Sequence, residues 1–381
     1  MEQKNDNILM TLMGLEIGGA ETHVVELAKE LQKQGLNMIL ASNGGVYEKE
    51  LSECGIKHYK VPLHNKQPHN VIKSYKSIKR VIREEKIDLV HAHARIPAFI
   101  CGLLHEKMKF PFVTTAHWVF NTGWGLKYIT NWGQKTLAVS EDIKTYLMQN
   151  YQVREEDIKV TINGIDTEKF SPHVDFSDIK EDFKLKDSGY RIVTISRLDS
   201  DRSDIAFQLV EIVPELVKEK ADLEVVIVGG GNVFERLNEK VNEMNQKLGR
   251  RVIVMTGPRT DINKFVASAD LFVGVSRAAL EAMAAAKPVI LAGNEGYIGI
   301  FDEQKLPTAI NSNFTCRGSQ QSGRELLKRD VLHVFNQMDQ DEKKRVGDLG
   351  RQTIEERYSV KKMARDNIEV YRQLLFESKN M

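Results

Sequence analysis

The chain has little cysteine, tryptophan or proline, no surplus of charge of either sign and no long apolar run. Its three cysteines, Cys54, Cys101 and Cys316, are scattered over 381 residues without metal-ligand spacing. That argues against a disulfide framework and for a reducing compartment, read here as cytoplasmic. Lys plus Arg (54) balance Asp plus Glu (53), so no bulk field draws the chain to nucleic acid. No uninterrupted apolar stretch approaches the length of a membrane span. The polar start runs into a strand at Ile8 and is read as carrying no signal peptide. Neither an internal repeat nor a low-complexity tract occurs.

What the chain does have is a rhythm. Hydrophobic residues make up 41% of it, and its length predicts two domains rather than one. Strand-like runs at Ile8–Met13, Leu36–Ser42, Ile56–Val61, Ile87–His91, Phe112–Thr115 and Leu137–Val139 alternate with amphipathic helices. In the helix Ala20–Gln34, Val24, Leu27, Ala28 and Leu31 recur at the period of one buried face, and Gly35 ends it. The alternation predicts a parallel sheet with helices on both sides. The segment Asp166–Tyr190 breaks the rhythm: it holds Pro172, many charges and few hydrophobics, and reads as a linker. Strand-like runs restart at Ile192–Ser196, Val225–Val228, Val252–Met255, Leu271–Val275 and Val289–Leu291. The expected fold is therefore α/β, with two doubly wound, Rossmann-like domains facing a central cleft. Their expected bounds are 1–172 and 173–359, with a helix in 360–381 able to pack back on the first. Ligands of such sheets bind beyond the carboxyl ends of the strands.

Candidate chemistry collects at those ends. Gly18-Gly19 opens the first helix, where bare backbone can approach a phosphate or simply make a tight turn. Arg197-Leu198-Asp199-Ser200-Asp201-Arg202 follows the first strand of the second half. Two guanidiniums there suit a diphosphate. Asp199-x-Asp201 has metal-ligand spacing, but the flanking arginines would compete for the same phosphate charge, so no metal is expected. Gly229-Gly230-Gly231 ends the next strand, and Thr256-Gly257-Pro258-Arg259 the one after, with backbone available to a base edge. The stretch Ser276 to Val289 reads as the end of a strand, a short Ala-rich helix and a further strand. Ser276 is placed to cap that helix, Ala278 and Ala279 lie in its first turn, and Glu281 stands out as a carboxylate in a small, apolar helix.

In the first half, His117 ends a strand inside T-T-A-H-W and is a candidate for substrate contact. His91-Ala-His93 puts two rings on one strand face, but no third metal ligand is evident. It reads as packing plus a contact by His93. All three tryptophans fall between Trp118 and Trp132, Trp124 among them, beside Phe120 and Tyr128. They suit sugar stacking, a lipid tail or the packing of an irregular segment. The helix Val71–Lys86 carries Lys73, Lys76, Lys79, Arg80 and Arg83, with Ile72, Tyr75, Ile78, Val81 and Ile82 able to face the core. It is either a solvated face or a contact with an anionic membrane.

Taken together, these residues resemble a retaining glycosyltransferase of family four with the GT-B fold. The resemblance spans nearly the whole chain. It rests on G-G-A-E-T-H-V-V-E-L-A at 18–28, His117, L-A-V-S-E at 137–141, I-N-G-I-D at 162–166 with F-S-P following, S-R-L-D-S-D-R at 196–202, V-G-G-G at 228–231 and L-E-A-M-A-A-A-K-P-V at 280–289. It implies that Gly18 and Gly19 face donor phosphates, that Arg197 and Arg202 bind the diphosphate, and that Glu281 holds the ribose. Arg202 replaces the family's usual lysine, keeping the charge. The family also usually has a second glutamate eight positions before Glu281, and here that position is Val273. The loop that would carry it is shortened to Ser276-Arg277-Ala278, and Glu295 is one residue that can take its space.

The expected activity is transfer of a sugar from a nucleoside diphosphate, UDP by preference, to a glycan or lipid-linked acceptor of the cell surface. No cofactor is expected. No carboxylate pair is placed for double displacement, so the resemblance implies retention by same-face attack, with arginines and helix N-termini stabilising the leaving group. Catalytic roles fall to His117, Arg197 and Arg202. Donor binding falls to these arginines with Gly18, Gly19, Gly230, Arg259, Ser276, Ala278, Ala279 and Glu281, and acceptor binding to His93, Trp118 and Trp124. A nucleotide-sugar epimerase and a non-catalytic nucleotide-sugar-binding protein are the alternatives.

Overall fold

The computed structural model describes residues 5–120, 122, 123 and 125–380. They form two compact units, one of residues 1–164 with 360–381, the other of residues 165–359.

Unit 1 holds a parallel sheet of β1 (Asn7–Thr11), β2 (Asn37–Ser42), β3 (Lys57–Lys60), β4 (Leu89–Ala92), β5 (Phe112–Ala116), β6 (Lys135–Ala138) and β7 (Ile158–Val160). Their order in space is β3-β2-β1-β4-β5-β6-β7. The apolar runs are continuous because both faces of the sheet are covered. Successive strand residues point to opposite sides. Ile8, Met10, Met38 and Leu40 enter one core, shared with the helices Gly19–Lys33 and Val360–Lys379. Leu9, Ile39 and Ala41 enter the other, with the helices Pro68–Glu84 and Arg95–Met108.

Unit 2 is built the same way from β8 (Arg191–Ile195), β9 (Glu224–Val228), β10 (Ile253–Met255), β11 (Leu271–Gly274), β12 (Val289–Gly293) and β13 (Gly296–Ile300), in the order β10-β9-β8-β11-β12-β13. All pairings are parallel except β12 with β13. Strands β7 and β13 were not expected. β7 has three residues, and β13 (G-Y-I-G-I) carries two glycines, which weaken any strand pattern.

The segment read as a linker is instead part of unit 2. Phe170, Ile179 and Leu185 are buried, and Ser177–Asp182 is helical. Its charges are tied down: the Lys186 ammonium donates to the Asp222 and Leu223 carbonyls, and Lys264 pairs with Asp178. The buried Arg191 guanidinium donates to the Lys186 carbonyl and to Glu224, 2.8 and 2.9 Å away. A charge-rich composition hid a packed segment because its charges find partners on distant parts of unit 2. The division between units falls at 164/165 rather than 172/173, since Ile165 donates to the Tyr358 carbonyl within unit 2. Among the described residues no helix is long and apolar enough to cross a membrane.

The helix Val360–Lys379 supplies Met363, Ala364, Tyr371, Leu374 and Leu375 to the core of unit 1. Replacing Leu374 by alanine removes a buried side chain, at a cost of about 2–5 kcal/mol. Unfolding followed by a tryptophan signal, all of which arises in unit 1, should shift to lower denaturant by that amount. An unshifted transition would mean that the helix adds no stability to this unit.

Candidate functional site

Parallel strands end on one edge, and crevices open where the chain turns to the other side of its starting strand. In unit 1 that point lies between β1 and β4, and in unit 2 between β8 and β11.

At the unit 2 edge the loop after β8 carries Arg197, Asp199, Asp201 and Arg202. Arg197 donates to Asp199 at 2.6 Å, and Arg202 lies 3.6 Å from Asp201. The second oxygen of Asp199 accepts from the Asn232 amide at 3.0 Å. These donors hold the Asp199 carboxyl below the usual range, the Asn232 N–H first and Arg197 after it. Asp199 therefore serves to position Arg197.

The glycines after β9 have a structural reason. A Cβ on Gly229, which has φ +144°, would lie 1.9 Å from the Ser196 carbonyl oxygen, and one on Gly231 2.4 Å from the Leu198 backbone. Leu198 donates to the Gly230 carbonyl at 2.9 Å. A Cβ on Gly230 would crowd Pro258. The three loops are clasped together, and this clasp sets the Arg197 loop in place.

On the other side of β8, β11 runs into the helix Ser276–Ala284. Ser276 does not cap it; Val275 holds the N-cap position, and no side chain bonds there. Ser276 is the first helical residue, with φ +55°, a left-handed conformation that costs a non-glycine residue free energy. Its N–H donates to the Phe314 carbonyl at 2.6 Å. Ala278 and Ala279 follow in the first turn, Ala279 buried. Glu281 is only 2% exposed, and its carboxylate accepts from Arg277 Nε at 2.9 Å. An arginine one turn earlier thus explains a carboxylate in an apolar helix.

Val273 points into the core of unit 2, so the position eight residues before Glu281 offers nothing to a ligand. Glu295 sits between β12 and β13, paired with Arg317 at 3.1 Å. Arg259 is held two-pronged by Asp261, at 2.8 and 2.6 Å, and lies over the Phe183 ring.

At the unit 1 edge, Gly18 and Gly19 lead into the helix Gly19–Lys33. Nothing stands within 4 Å of a Cβ built on Gly19, whereas one on Gly18 would meet Glu21. Four histidines gather beside them. His23 comes from this helix, His91 from β4, His93 follows β4 and His117 follows β5. His91 and His93 share one face as expected, with ring centroids 3.9 Å apart. Both nitrogens of His91 are engaged, by Tyr371 Oη at 2.6 Å and Thr115 Oγ1 at 2.7 Å. His93 Nδ1 lies 3.2 Å from His117 Nε2, and His23 Nδ1 lies 3.0 Å from Asn163 Oδ1. Asn163 belongs to the I-N-G-I-D motif. Burial pushes His91 down to about 3, His117 down to about 4 and His93 well below its usual value, the neighbouring imidazoles adding to the effect on His91 and His93. The sequence did not reveal His23 as part of this group.

Of the tryptophans, Trp132 stacks on Phe120 at 5.6 Å and meets Tyr151 edge-on, so it packs the irregular segment. Trp118 is 50% exposed. Trp124 lies outside the described residues. In the basic helix, now Pro68–Glu84, Ile78, Val81 and Ile82 face the core as expected, but Ile72 is 57% exposed. It sits in the first turns, ahead of the buried stripe.

Two doubly wound sheets, with guanidiniums and a helix N-terminus at one switch point and imidazoles at the other, define a GT-B type α/β protein. Residues 17–169 match the family model described as Glycosyltransferase Family 4, and residues 189–305 that described as Glycosyl transferases group 1. The chain belongs to this family of glycosyltransferases and is an enzyme. It is 25% identical over 252 residues to the Escherichia coli UDP-Gal:alpha-D-GlcNAc-diphosphoundecaprenol alpha-1,3-galactosyltransferase, covering 59% of this chain and 62% of that protein. A glycosyltransferase structure from Rickettsia africae superposes with a TM-score of 0.76 at 24% identity, over 97% of this chain and 99% of the other. An Anabaena protein solved in complex with UDP superposes with a TM-score of 0.71 at 15% identity, over 97% and 100%.

The histidine cluster makes stability depend on pH. A histidine whose folded pKa lies below its unfolded value of about 6.5 leaves the unfolded chain binding more protons as pH falls. The stability it contributes is complete above pH 6.5 and is lost as pH drops below it, by at most about 1.4 kcal/mol per pH unit for each buried histidine. Denaturant unfolding at pH 7, 6 and 5 should show a steady loss, and His91→Gln should flatten the slope. Equal stability at pH 7 and 5 would contradict it.

Proposed function

We propose that the enzyme transfers a sugar from a UDP-linked donor to a lipid-linked or glycan acceptor in cell-surface glycoconjugate synthesis, with retention. The observation that carries the donor half is the unit 2 switch point. There Arg197 is pre-positioned by Asp199, Arg202 follows on the same loop, and the helix Ser276–Ala284 begins at the end of the adjacent strand. These groups neutralise a diphosphate without a divalent ion. Asp199 is already engaged by Arg197 and the Asn232 amide, which weighs against its serving as a metal ligand there. In this reading the Arg277–Glu281 pair holds the ribose, the loop Thr256–Arg259 and Gly230 take the base side, and Ser276, Ala278 and Ala279 offer helix-start backbone. At the unit 1 edge, Gly18 and Gly19 offer bare helix-start backbone of the kind a phosphate approaches.

UDP is favoured by the Escherichia coli relative, whose name specifies a UDP-galactose donor and a diphosphoundecaprenol acceptor, and by the UDP complex of the Anabaena structure. His117 contacts the reacting sugar, and His93 and Trp118 line the acceptor side. Lys73, Lys76, Arg80 and Arg83, exposed on one helix with Ile72, suit peripheral contact with the anionic inner face of the cell membrane.

Incubation with UDP- and GDP-sugars tests the whole reading. Acceptor-dependent nucleotide release is expected. Interconversion of sugars without acceptor would make it an epimerase, and binding without turnover a sensor. Charged hydrogen bonds of the kind proposed contribute roughly 1.5–3 kcal/mol each. Arg197→Ala should therefore raise the donor Kd about ten-fold or more, measured without divalent cations, at unchanged Tm. Unchanged affinity would remove the arginine from the site. His117→Ala should depress kcat far more than donor affinity; a variant with full kcat would take this imidazole away from the reacting centre.

A further inference from the structure

Three of the four histidines at the unit 1 switch point each offer one ring nitrogen, and these nitrogens lie within 4.8 Å of one another: His23, His93 and His117. They come from three separate segments, the helix after β1 and the ends of β4 and β5, which the strand order β1-β4-β5 makes neighbours. We propose that His23, His93 and His117 form a binding site for one divalent transition-metal ion of the zinc class. It is distinct from the diphosphate chemistry of unit 2 and does not depend on the transferase reading.

Four observations carry the proposal. First, the spacing fits. Zinc–imidazole bonds of about 2.0–2.1 Å set two tetrahedral ligand nitrogens about 3.3 Å apart, and His93 Nδ1 and His117 Nε2 stand 3.2 Å apart. Second, His23 has the support usual for a ligand. Its Nδ1 lies 3.0 Å from Asn163 Oδ1, so an N–H donated there fixes the ring and leaves Nε2 as the coordinating atom. Third, the contact that His93 Nδ1 makes within the protein is with another member of the cluster, His117 Nε2, so one ion bound between the two rings replaces a single imidazole–imidazole contact and leaves no other protein group unsatisfied at that nitrogen. Fourth, the neighbouring imidazole is excluded by its own bonds. His91 spends both nitrogens on Tyr371 and Thr115, which separates a structural histidine from the His23, His93 and His117 cluster.

The donor set also chooses the metal. Three imidazoles suit zinc, copper, nickel or cobalt, whereas magnesium, calcium and manganese prefer oxygen. Three protein ligands leave a tetrahedral ion one position open. An oxygen ligand, water or a hydroxyl, is what such a position takes, and binding there lowers its pKa.

The test uses the full chain with no sugar or nucleotide present, so its outcome is separable from that of the transferase assay. Protein treated with a chelator and dialysed is titrated with zinc, and with cobalt as a spectroscopic probe. One zinc per chain is expected, with the intense visible absorption of tetrahedral cobalt and no displacement by excess magnesium. His117→Ala, at a half-buried position, should weaken zinc at least about 100-fold, and Asn163→Ala about 10–100-fold through loss of ring orientation. The metal-free Tm of each variant establishes that it is folded. Failure of the wild-type chain to take up stoichiometric zinc would overturn the proposal. So would a folded His117→Ala protein that binds zinc as tightly as the wild type, or displacement by magnesium.

Discussion

The constraint on which the rest depends is parallel pairing. A parallel strand can be followed by its neighbour only after a crossover, so every strand but the antiparallel β13 delivers its carboxyl end to the same edge of its sheet. In unit 1 this gathers the residues after β1, β4 and β5. In unit 2 it gathers those after β8, β9 and β11. Segments such as 18–23, 93 and 117, or 197–202, 229–231 and 276–281, are far apart in the chain and share an edge for no other reason. The chemistry is then fixed by what each loop carries and how firmly the glycine contacts hold it. The clasp of Gly229, Gly230 and Gly231 on Ser196, Leu198 and Pro258 is such a hold.

The sheets themselves were legible in the sequence, because both faces are buried and each strand reads as an apolar run. What escaped were elements whose stability is not written in hydrophobic pattern. β13 is recruited by its antiparallel partner, and the Asp166–Tyr190 segment by a few buried side chains and by charges paired with distant residues of unit 2. At the site, sequence order and motif identified Arg197, Arg202, His93 and His117, and the structure puts each at a strand's carboxyl end. The caps were less legible. Ser276 looked like an N-cap by type, yet Val275 holds that position, and Ser276, with a left-handed φ, opens the helix with its N–H spent on Phe314. Glu281 looked out of place until Arg277 was seen to pair with it. His23 was invisible because it lies on a helix, one residue before the apolar stripe that begins at Val24, and 70 and 94 residues before the strand-end histidines His93 and His117.

Burial gives the two halves opposite electrostatic characters. His91, His93 and His117 of unit 1 are held towards the neutral form by desolvation, so they present lone pairs and N–H groups without net charge. Arg197 and Arg202 of unit 2 lie on a solvent-facing loop beside Asp199 and Asp201. One edge is suited to offering neutral lone pairs, the other to holding anions.

The capture of the helix Val360–Lys379 by unit 1 imposes an order on the chain's self-assembly. Unit 2 is one continuous stretch, 165–359, and has all its own strands in hand once that stretch has left the ribosome. Unit 1 does not. His91 awaits Tyr371, 280 residues downstream, and Met363, Leu374 and Leu375 have still to fill the core beside β1 and β2. Closing so long a loop carries an entropic cost that grows only with the logarithm of its length, and a folded unit 2 brings the two ends closer than a free chain would. The half of the molecule that is synthesised first is thus completed last, with one apolar face of its sheet uncovered from the making of β7 until the helix Val360–Lys379 follows.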